Sequence, residues 1–332
     1  MKTIQIESFE IRVGAEKTLE HSFSFGLFYN SSESRSLSYG RVMKEKSVDY
    51  AVLVNFDGGE NENKKKNLEK NKSLLERIAK QTITIECDQI YEYLENLNSI
   101  VDSIPQTCLS VGARFFIDMT GAPLIYSSAI VKYLLRLFPK PELWVLNASG
   151  IYQKRGEEQF AEGVRKSIFI PGFYGIPKPS LPMRYIFLVG YDGERSLNIY
   201  RENLPDYVSV IIPDPGYEKE NANNTISNNA IFLKEVGFRM NGGRLENNAD
   251  IHRISIWNVQ GVLDIIKKIY EESRDREQIR LVPLGPKPHA LAAALAGTLY
   301  NDISIMYQVP KKYYLSEVKL GDKIYFYRIN AT

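Results

Sequence analysis

The chain has 332 residues, 44% of them hydrophobic and 25% charged, and its 42 basic and 40 acidic residues leave a net charge of +2. This length predicts about two domains with buried cores, and the balanced charge excludes a strong overall attraction to nucleic acid. Two cysteines and three histidines are too few for a disulfide framework or a structural zinc site, and no stretch reads as a signal peptide or membrane span. We therefore expect a cytoplasmic protein that contacts no membrane and uses no metal or cofactor.

The predicted elements start with a short N-terminal strand and extension in residues 1–20. Next come five apolar runs typical of buried strands, in the order SFSFGLFY, YAVLVNF, TITIECD, RFFID and ELWVLNAS. Between them lie longer stretches whose apolar residues recur at helical spacing. Strands that alternate with helices indicate right-handed βαβ crossovers and therefore a mostly parallel sheet.

A second series of the same elements begins at Arg184, with the runs RYIFLV, VSVIIP, RISIWNV, IRLVP and ISIMYQVP. In both series the first run leads to a polar loop that ends in Arg-Ser-Leu, at Arg35–Leu37 and at Arg195–Leu197. In both series the fourth run leads to a loop with glycine and proline ahead of a helix. The segments 161–173 and 316–329, which close the two series, also resemble each other. Five matched elements with matched loops indicate a tandem duplication.

We therefore predict an α/β fold made of two tandem Rossmann-like units, each with a mostly parallel, doubly wound sheet. The first unit is predicted to span residues 21–178 and the second residues 179–332, because the stretch 171–182 is rich in proline and glycine, as linkers are. The asparagine-rich stretch 221–229 and the lysine run 64–66 are predicted to be solvated loops.

The expected order of the strands places the candidate site. In a unit with the common order 3-2-1-4-5, the strand order reverses between strands 1 and 4, and ligands bind beyond the carboxyl ends of the strands at that point. The loops after these two strands are also the loops that the repeat matches best. Candidate ligand-binding residues are Glu33, Arg35, Ser36, Asp118, Thr120 and Gly121 in the first unit, and Asp192, Glu194, Arg195, Ser196, Gly285, Lys287 and His289 in the second.

The chemistry of these residues favours a phosphorylated ligand. Free backbone N–H groups at a helix N-terminus attract phosphate, and glycine allows the backbone to approach it closely. Arg35 and Arg195 are candidates for bidentate phosphate clamps, Lys287 for a point charge, and Tyr191 or Tyr126 for base stacking. The same residue types also serve as ordinary helix caps and surface charges, so a structural role for each loop is the alternative.

The loops Asp118-Met-Thr-Gly-Ala-Pro and Leu284-Gly-Pro-Lys-Pro-His, each between the fourth strand and a helix, resemble the Thr-Gly-Gly-Thr-Lys loop of CARF domains. Two such units in one chain also resemble the SAVED sensors of bacterial anti-phage signalling. The resemblance implies a Rossmann-fold sensor of cyclic oligonucleotides with a role in antiviral defence. The first loop has Ala122 in place of the second glycine and has no lysine, whereas the second loop keeps glycine and lysine but lacks the threonine.

The sequence leaves three classes of function open. The first is a prokaryotic, defence-associated binding protein that senses a nucleotide or cyclic oligonucleotide and acts through an effector protein or as a homodimer. The second is an enzyme that hydrolyses a nucleotide or nucleic acid with Asp118, Glu33 or Glu194 as acid–base groups, although no complete catalytic motif is visible. The third is a structural subunit of a larger complex, in which the aromatic segment KIYFYRI would offer a strand edge to a partner.

Overall fold

The structure, a computed structural model, describes residues 6–14, 18–56, 61–87, 91–110, 112–137, 142–151, 161–218, 220–241, 244–246, 248, 250–313 and 318–331. The chain folds as an α/β protein with two sheets of mostly parallel strands, which confirms the predicted fold class. It divides into two compact units. The first unit is Met1–Arg155 together with Leu315–Thr332, and the second unit is Gly156–Tyr314.

The strands and helices follow one another in the alternating order that the sequence predicts. The strands are β1 (Phe9–Gly14), β2 (Phe23–Tyr29), β3 (Val48–Phe56), β4 (Ala79–Cys87), β5 (Arg114–Asp118), β6 (Glu142–Ile151), β7 (Ala161–Phe169), β8 (Met183–Leu188), β9 (Tyr207–Pro213), β10 (Met240–Asn241), β11 (Arg244–Leu245), β12 (Ile251–Ile254), β13 (Gln278–Pro283), β14 (Ser304–Tyr313) and β15 (Lys319–Ala331). The α-helices are α1 (Glu62–Ile78), α2 (Tyr93–Asp102), α3 (Leu124–Leu137), α4 (Gly193–Asn203), α5 (Asn221–Asn228), α6 (Ala230–Glu235), α7 (Val259–Ser273) and α8 (Lys287–Leu299), with 3₁₀ helices at Ser34–Arg41 and Gln106–Cys108.

The sheet of the first unit has the order β1-β15-β6-β5-β2-β3-β4. Its strands β4-β3-β2-β5-β6 are parallel and carry the predicted order 3-2-1-4-5. The apolar residues of these strands are buried because helices or loops cover the sheet, as continuous hydrophobic runs require. At its centre, Phe116 packs against Phe23 and Phe28 with ring centroids 5.3 and 5.6 Å apart.

The sheet of the second unit has the order β12-β9-β8-β13-β14-β7. Its strands β12-β9-β8-β13-β14 are again parallel and in the order 3-2-1-4-5. The strand order therefore reverses between β2 and β5 in the first unit and between β8 and β13 in the second. Both switch points lie where the sequence predicts them. None of the helices in the described ranges is long and apolar enough to cross a membrane.

The sixth strand of each sheet comes from the other half of the sequence. Strand β7 follows β6 in the chain, but it pairs antiparallel with β14 in the second unit. Strand β15 follows β14, but it pairs antiparallel with β6 in the first unit, where β1 covers its other edge. The similar segments 161–173 and 316–329 are thus equivalent strands, each belonging to the sheet of the other repeat. The aromatic segment KIYFYRI lies within β15, where residues 326–329 have β6 on one side and β1 on the other.

These pairings shift the domain boundary away from the predicted position between residues 178 and 179. The proline-rich stretch 171–182 is not a linker between units, because it connects β7 to β8 within the second unit. Phe173 is completely buried there, and the Nζ of Lys178 lies 2.7 Å from Oδ2 of Asp302. Gly175 adopts a φ of +71°, where a Cβ would lie 2.9 Å from the carbonyl oxygen of Asp302. The stretch is therefore packed structure rather than a hinge.

Two stretches predicted as solvated loops are helical. The lysine run 64–66 lies in the first turns of α1, whose N-cap Asn61 accepts a hydrogen bond from the backbone N–H of Lys64 at 3.0 Å. The asparagine-rich stretch 221–229 forms α5, and Asn221 and Asn229 are buried. Asparagine disfavours helix interiors in isolation, but the side chains of Asn228 and Asn229 are held here by hydrogen bonds to the carbonyl oxygens of Tyr191 and Gly190.

Removal of residues 315–332 should unfold the first unit. Phe326, Tyr327 and Ile329 of β15 are fully buried, and burying each contributes about 1.5–3 kcal/mol, which together rivals the roughly 5–15 kcal/mol stability of a whole domain. Limited proteolysis with mass spectrometry should then leave residues 156–314 protected while residues 1–155 are digested. The matched control is removal of residues 1–14, which takes away the edge strand β1 and should leave both units resistant. Equal resistance of the two truncated proteins would contradict the exchange of strands.

Candidate functional site

In the second unit, the loops after strands β8 and β13 meet backbone to backbone. A Cβ on Gly190 would lie 2.7 Å from the carbonyl oxygen of Leu284, and one on Gly285 would lie 2.5 Å from that of Val189. Real Cβ atoms do not approach oxygen so closely, so only glycine fits at both positions. The two candidate loops are therefore in contact at the switch point.

The loop after β8 is organised by Asp192 and Arg195. Asp192 caps α4, and its Oδ1 accepts a hydrogen bond from the backbone N–H of Arg195 at 3.4 Å. Burial raises the pKa of Asp192, against the opposing effect of the Arg195 charge. The Arg195 guanidinium is nearly buried, donates from Nη2 to the carbonyl oxygen of Gln308, and lies 4.7 Å from the ring centroid of Tyr307. Glu194, by contrast, is exposed.

Several polar atoms around this loop are buried without a hydrogen-bond partner. They are Oδ2 of Asp192, Oγ of Ser196, Oδ1 of Asn229, and both Oε1 and Nε2 of Gln308. Ser196 and Gln308 are completely inaccessible, and Asn229 is 1% exposed. An unsatisfied buried polar group costs about 1–3 kcal/mol, and native proteins contain few of them. Such a group of atoms at one switch point indicates a place where a polar ligand or bound water completes the structure.

The loop after β13 leads into α8, whose first turn contains Lys287 and His289. His289 is completely buried, and its Nε2 lies 3.2 Å from the carbonyl oxygen of Ser255. Because a carbonyl only accepts, Nε2 carries the proton and Nδ1 is left as an acceptor without a partner. Burial lowers the pKa of His289 to about 4, so the ring is neutral at physiological pH. Lys287 is half-buried at the first helical position, after Pro286.

In the first unit, the two candidate loops also meet. A Cβ on Gly121 would lie 2.9 Å from the carbonyl oxygen of Tyr29 and 3.1 Å from Cβ of Ser36. Arg35 is 6% exposed and pairs through Nε with the carboxylate of Glu33. A Cβ on Gly150 of β6 would lie 3.1 Å from Nη1 of Arg35, so this arginine, like Arg195, points at the fifth core strand of its sheet.

Ser36, Asp118 and Thr120 of the first unit's loops make hydrogen bonds within the unit, whereas Oγ of Ser38 and the hydroxyl of Tyr29 are buried without a hydrogen-bond partner. Ser36 donates from Oγ to the carbonyl oxygen of Glu33 at 2.8 Å. Asp118 accepts the backbone N–H of Thr120 at 2.8 Å, and Oγ1 of Thr120 accepts the backbone N–H of Ala148 at 3.0 Å. The matched serine, Ser196, makes no such bond in the second unit. The first loop also forms a 3₁₀ helix where the second forms α4. The matched serines thus differ, because Ser36 is hydrogen-bonded within its loop and Ser196 is not.

Sequence reasoning missed the amide side chains that support these loops. Asn67 of α1 donates from Nδ2 to the carbonyl oxygen of Ser31 at 2.9 Å. In the second unit, Asn229 donates from Nδ2 to the carbonyl oxygen of Gly190 at 2.7 Å, and Asn228 donates to that of Tyr191 at 2.9 Å. The available signal was asparagine in the helices after the second strand of both repeats. Gln308, an amide inside an apolar strand, was a similar signal.

The structure does not suit one predicted role. Tyr126 is completely buried, with its ring centroid 4.6 Å from that of Phe56 and its hydroxyl accepting a bond from Nδ2 of Asn96 at 2.9 Å. A base has no access to this ring, so the stacking role predicted for Tyr126 is wrong. Tyr191 is partly exposed beside the loop after β8.

Comparison with known proteins assigns no function to this site, so its function is inferred from its geometry. The sequence matches no protein-family model, and no curated protein is significantly similar to it. Among the residues that the structure describes, no group of three or more histidine, cysteine or acidic side chains is arranged to hold a metal ion. The residues of the two switch points are therefore the evidence for function.

The matched serines should respond differently to truncation. We expect Ser36→Ala to lower the free energy of unfolding by about 1 kcal/mol, because it removes a made hydrogen bond. Ser196→Ala should leave the stability of the ligand-free protein unchanged or slightly raised, because it removes a buried hydroxyl that has no partner. Denaturant unfolding of both variants and the wild type checks this. A loss at Ser196 equal to the loss at Ser36 would show that Ser196 is already satisfied.

His289 should make the fold sensitive to acid. Its pKa is 6.5 in the unfolded chain and about 4 in the folded one, so between these values the unfolded state binds the proton more readily. The contribution of His289 to the free energy of unfolding is fully present above pH 6.5 and is lost as the pH falls toward 4. The loss amounts to roughly 2 kcal/mol between about pH 7 and about pH 5. Denaturant unfolding at both pH values should show a smaller decrease for His289→Gln than for the wild type. Identical decreases would contradict this assignment.

Proposed function

We propose that the chain is a nucleotide-binding sensor whose ligand binds at the switch point of the second unit. The observation that carries this proposal is the group of buried polar atoms without a hydrogen-bond partner on Ser196, Asn229 and Gln308, beside Asp192, whose Oδ2 lies 3.9 Å from Nη1 of Arg195. They surround the loops after β8 and β13, which touch because Gly190 and Gly285 have no Cβ. Open α/β sheets bind ligands at this place. A ligand with both donors and acceptors would satisfy them.

Phosphate is the part of such a ligand that the loops favour. Helices α4 and α8 both begin at this switch point. The N-terminus of α4 is capped by the carboxylate of Asp192, so the backbone N–H groups suited to an anion are those of Lys287 and His289 at the start of α8, where Pro288 has none. Lys287 supplies a positive charge at the start of α8. Arg195 is better suited to positioning than to clamping, since its guanidinium is committed to the carbonyl oxygen of Gln308 and to the ring of Tyr307. The loop chemistry thus supports a phosphorylated ligand held mainly by backbone N–H groups and Lys287.

Binding is better supported than hydrolysis. Asp118 is 2% exposed and is engaged by the backbone N–H of Thr120 in its own turn. Glu194 is exposed and belongs to the second unit, and Glu33 of the first unit is paired with Arg35. His289 is neutral and buried, with Nε2 committed to Ser255. The residues considered as acid–base groups therefore form no assembled pair within either unit.

The two switch points are proposed to have different roles. The first unit's loops are closed by their own hydrogen bonds and serve as structure, whereas the second unit's loops bind the ligand. Cyclic oligonucleotides, a role in antiviral defence and an effector partner are the parts of the proposal that derive from the CARF and SAVED resemblance. They determine which ligands and partners are tested, and the geometry of the site does not depend on them.

The direct test is isothermal titration calorimetry of the purified protein against mononucleotides, dinucleotides and cyclic oligonucleotides. Ser196→Ala and Lys287→Ala should each weaken binding about tenfold, the size of one hydrogen bond to a charged group. Ser36→Ala, the matched change in the first unit, should leave the affinity unchanged.

Two results would contradict the proposal. One is the lack of binding by every phosphorylated ligand in the panel. The other is binding that depends on Ser36 and not on Ser196, which would place the site in the first unit.

A further inference from the structure

The loops after strands β9 and β12 in the second unit are joined by backbone hydrogen bonds. The N–H of Asp214 donates to the carbonyl oxygen of Ile254 at 2.8 Å, and the N–H of Ile256 donates to that of Pro215 at 3.0 Å. This pairing brings two aromatic rings together just beyond it. The ring centroids of Tyr217 and Trp257 lie 4.8 Å apart with the planes inclined by 65°. Both side chains are partly exposed.

The aromatic pair is tied to the first turn of α8. Ser255, two residues before Trp257, accepts with its carbonyl oxygen the hydrogen bond from Nε2 of His289 at 3.2 Å. His289 lies two residues after Lys287 in the same turn. The rings and the proposed phosphate site therefore share one hydrogen-bonded frame at the carboxyl ends of the strands.

A carboxylate lies three residues before Tyr217 on the same loop. Asp214 directly follows β9, the second strand of the repeat, and its side chain is 34% exposed beside Arg253, whose Nη1 is 3.1 Å from Oδ2. In Rossmann-like units, an acidic residue about twenty residues beyond the glycine loop, at the end of the second strand, accepts a hydrogen bond from a ribose hydroxyl. Asp214 has this position relative to the loop of Gly190 and Gly193.

We propose that Asp214, Tyr217 and Trp257 form the nucleoside-binding part of the second unit's site. The base packs on the Tyr217–Trp257 pair, and Asp214 accepts a hydrogen bond from a ribose hydroxyl. The phosphate of the same ligand lies at the first turn of α8. This inference rests on the proposed function and defines the ligand class more closely, as a 5′-nucleotide unit with an unmodified ribose.

Tryptophan fluorescence follows this site directly. The chain has two tryptophans; Trp144 is 4% exposed in the core of the first unit, and Trp257 is partly exposed. Titrations use the full chain with the four nucleoside 5′-monophosphates, with ribose 5-phosphate, and with the 2′,3′-dideoxy form of the tightest nucleotide. We expect at least one nucleotide to change the fluorescence and to bind about tenfold more tightly than ribose 5-phosphate, as one stacked base allows.

Variants separate the base from the ribose and the phosphate. Trp257→Ala, followed by calorimetry, should weaken nucleotide binding about tenfold and leave ribose 5-phosphate unaffected, while Trp257→Phe should retain most of the affinity. Asp214→Asn should weaken binding of the nucleotide and of ribose 5-phosphate but not of the dideoxynucleotide. Tyr174→Ala, which removes an exposed tyrosine elsewhere in the second unit, is the matched control and should have no effect. Thermal unfolding of each variant shows whether it has folded.

The outcomes distinguish this inference from the proposed function. Equal affinity for nucleotides and ribose 5-phosphate, unchanged by Trp257→Ala, would overturn the nucleoside site and leave the phosphate site standing. Binding of neither kind of ligand would overturn this inference, and it would overturn the proposed function as well when dinucleotides and cyclic oligonucleotides also fail to bind.

Discussion

The close approach of two backbones at Gly190 and Gly285 is the constraint on which the second unit's site depends. With no Cβ at either position, the loops after β8 and β13 touch, and two helices begin side by side at the point where the strand order reverses. That contact fixes where Asp192, Ser196 and the first turn of α8 lie. A side chain at either glycine would push the loops apart and remove the geometry that makes the site.

The duplication explains why the chain carries two such points and why they differ. Both copies keep the arginine that points at the fifth core strand, so this residue serves the architecture of the unit. The surrounding polar groups have diverged. Ser36 and Thr120 are satisfied within the first copy, whereas Ser196 and Gln308 in the second are not. A polar group left unsatisfied in a buried position lowers stability, and such costs are commonly retained where function needs them.

The sequence predicted the architecture well, because strong periodic signals decide it. The apolar runs and the repeated Arg-Ser-Leu loops led to the fold class, and the common order 3-2-1-4-5, assumed for both units, led to the expected contact between the paired loops. The sheets to which β7 and β15 belong could not be predicted, because each of these strands pairs with a strand that is distant in the sequence. The similarity of the two segments shows only that they are equivalent strands. The helix at 221–229 was missed because its asparagines are stabilised by contacts, such as Asn229 with Gly190, that propensity does not contain.

The candidate residues were identified by type and position, but their roles depended on burial. The sequence made Arg195 and Arg35 candidates for phosphate clamps. In the structure both side chains are nearly buried and bind groups of their own units. Gln308, Tyr217 and Trp257 carried little signal, since an amide in a strand and aromatics in loops are common. Only the hydrogen bonds joining the loops after β9 and β12 showed that the two aromatic rings meet.

The most direct test of the account is a crystal structure of the protein grown with the nucleotide that binds most tightly in solution. The account predicts density for that ligand in the second unit, with its phosphate at the first turn of α8 and polar contacts to Ser196 or Gln308. Density for the ligand at the first unit's loops, or ordered water alone satisfying Ser196 and Gln308, would contradict it.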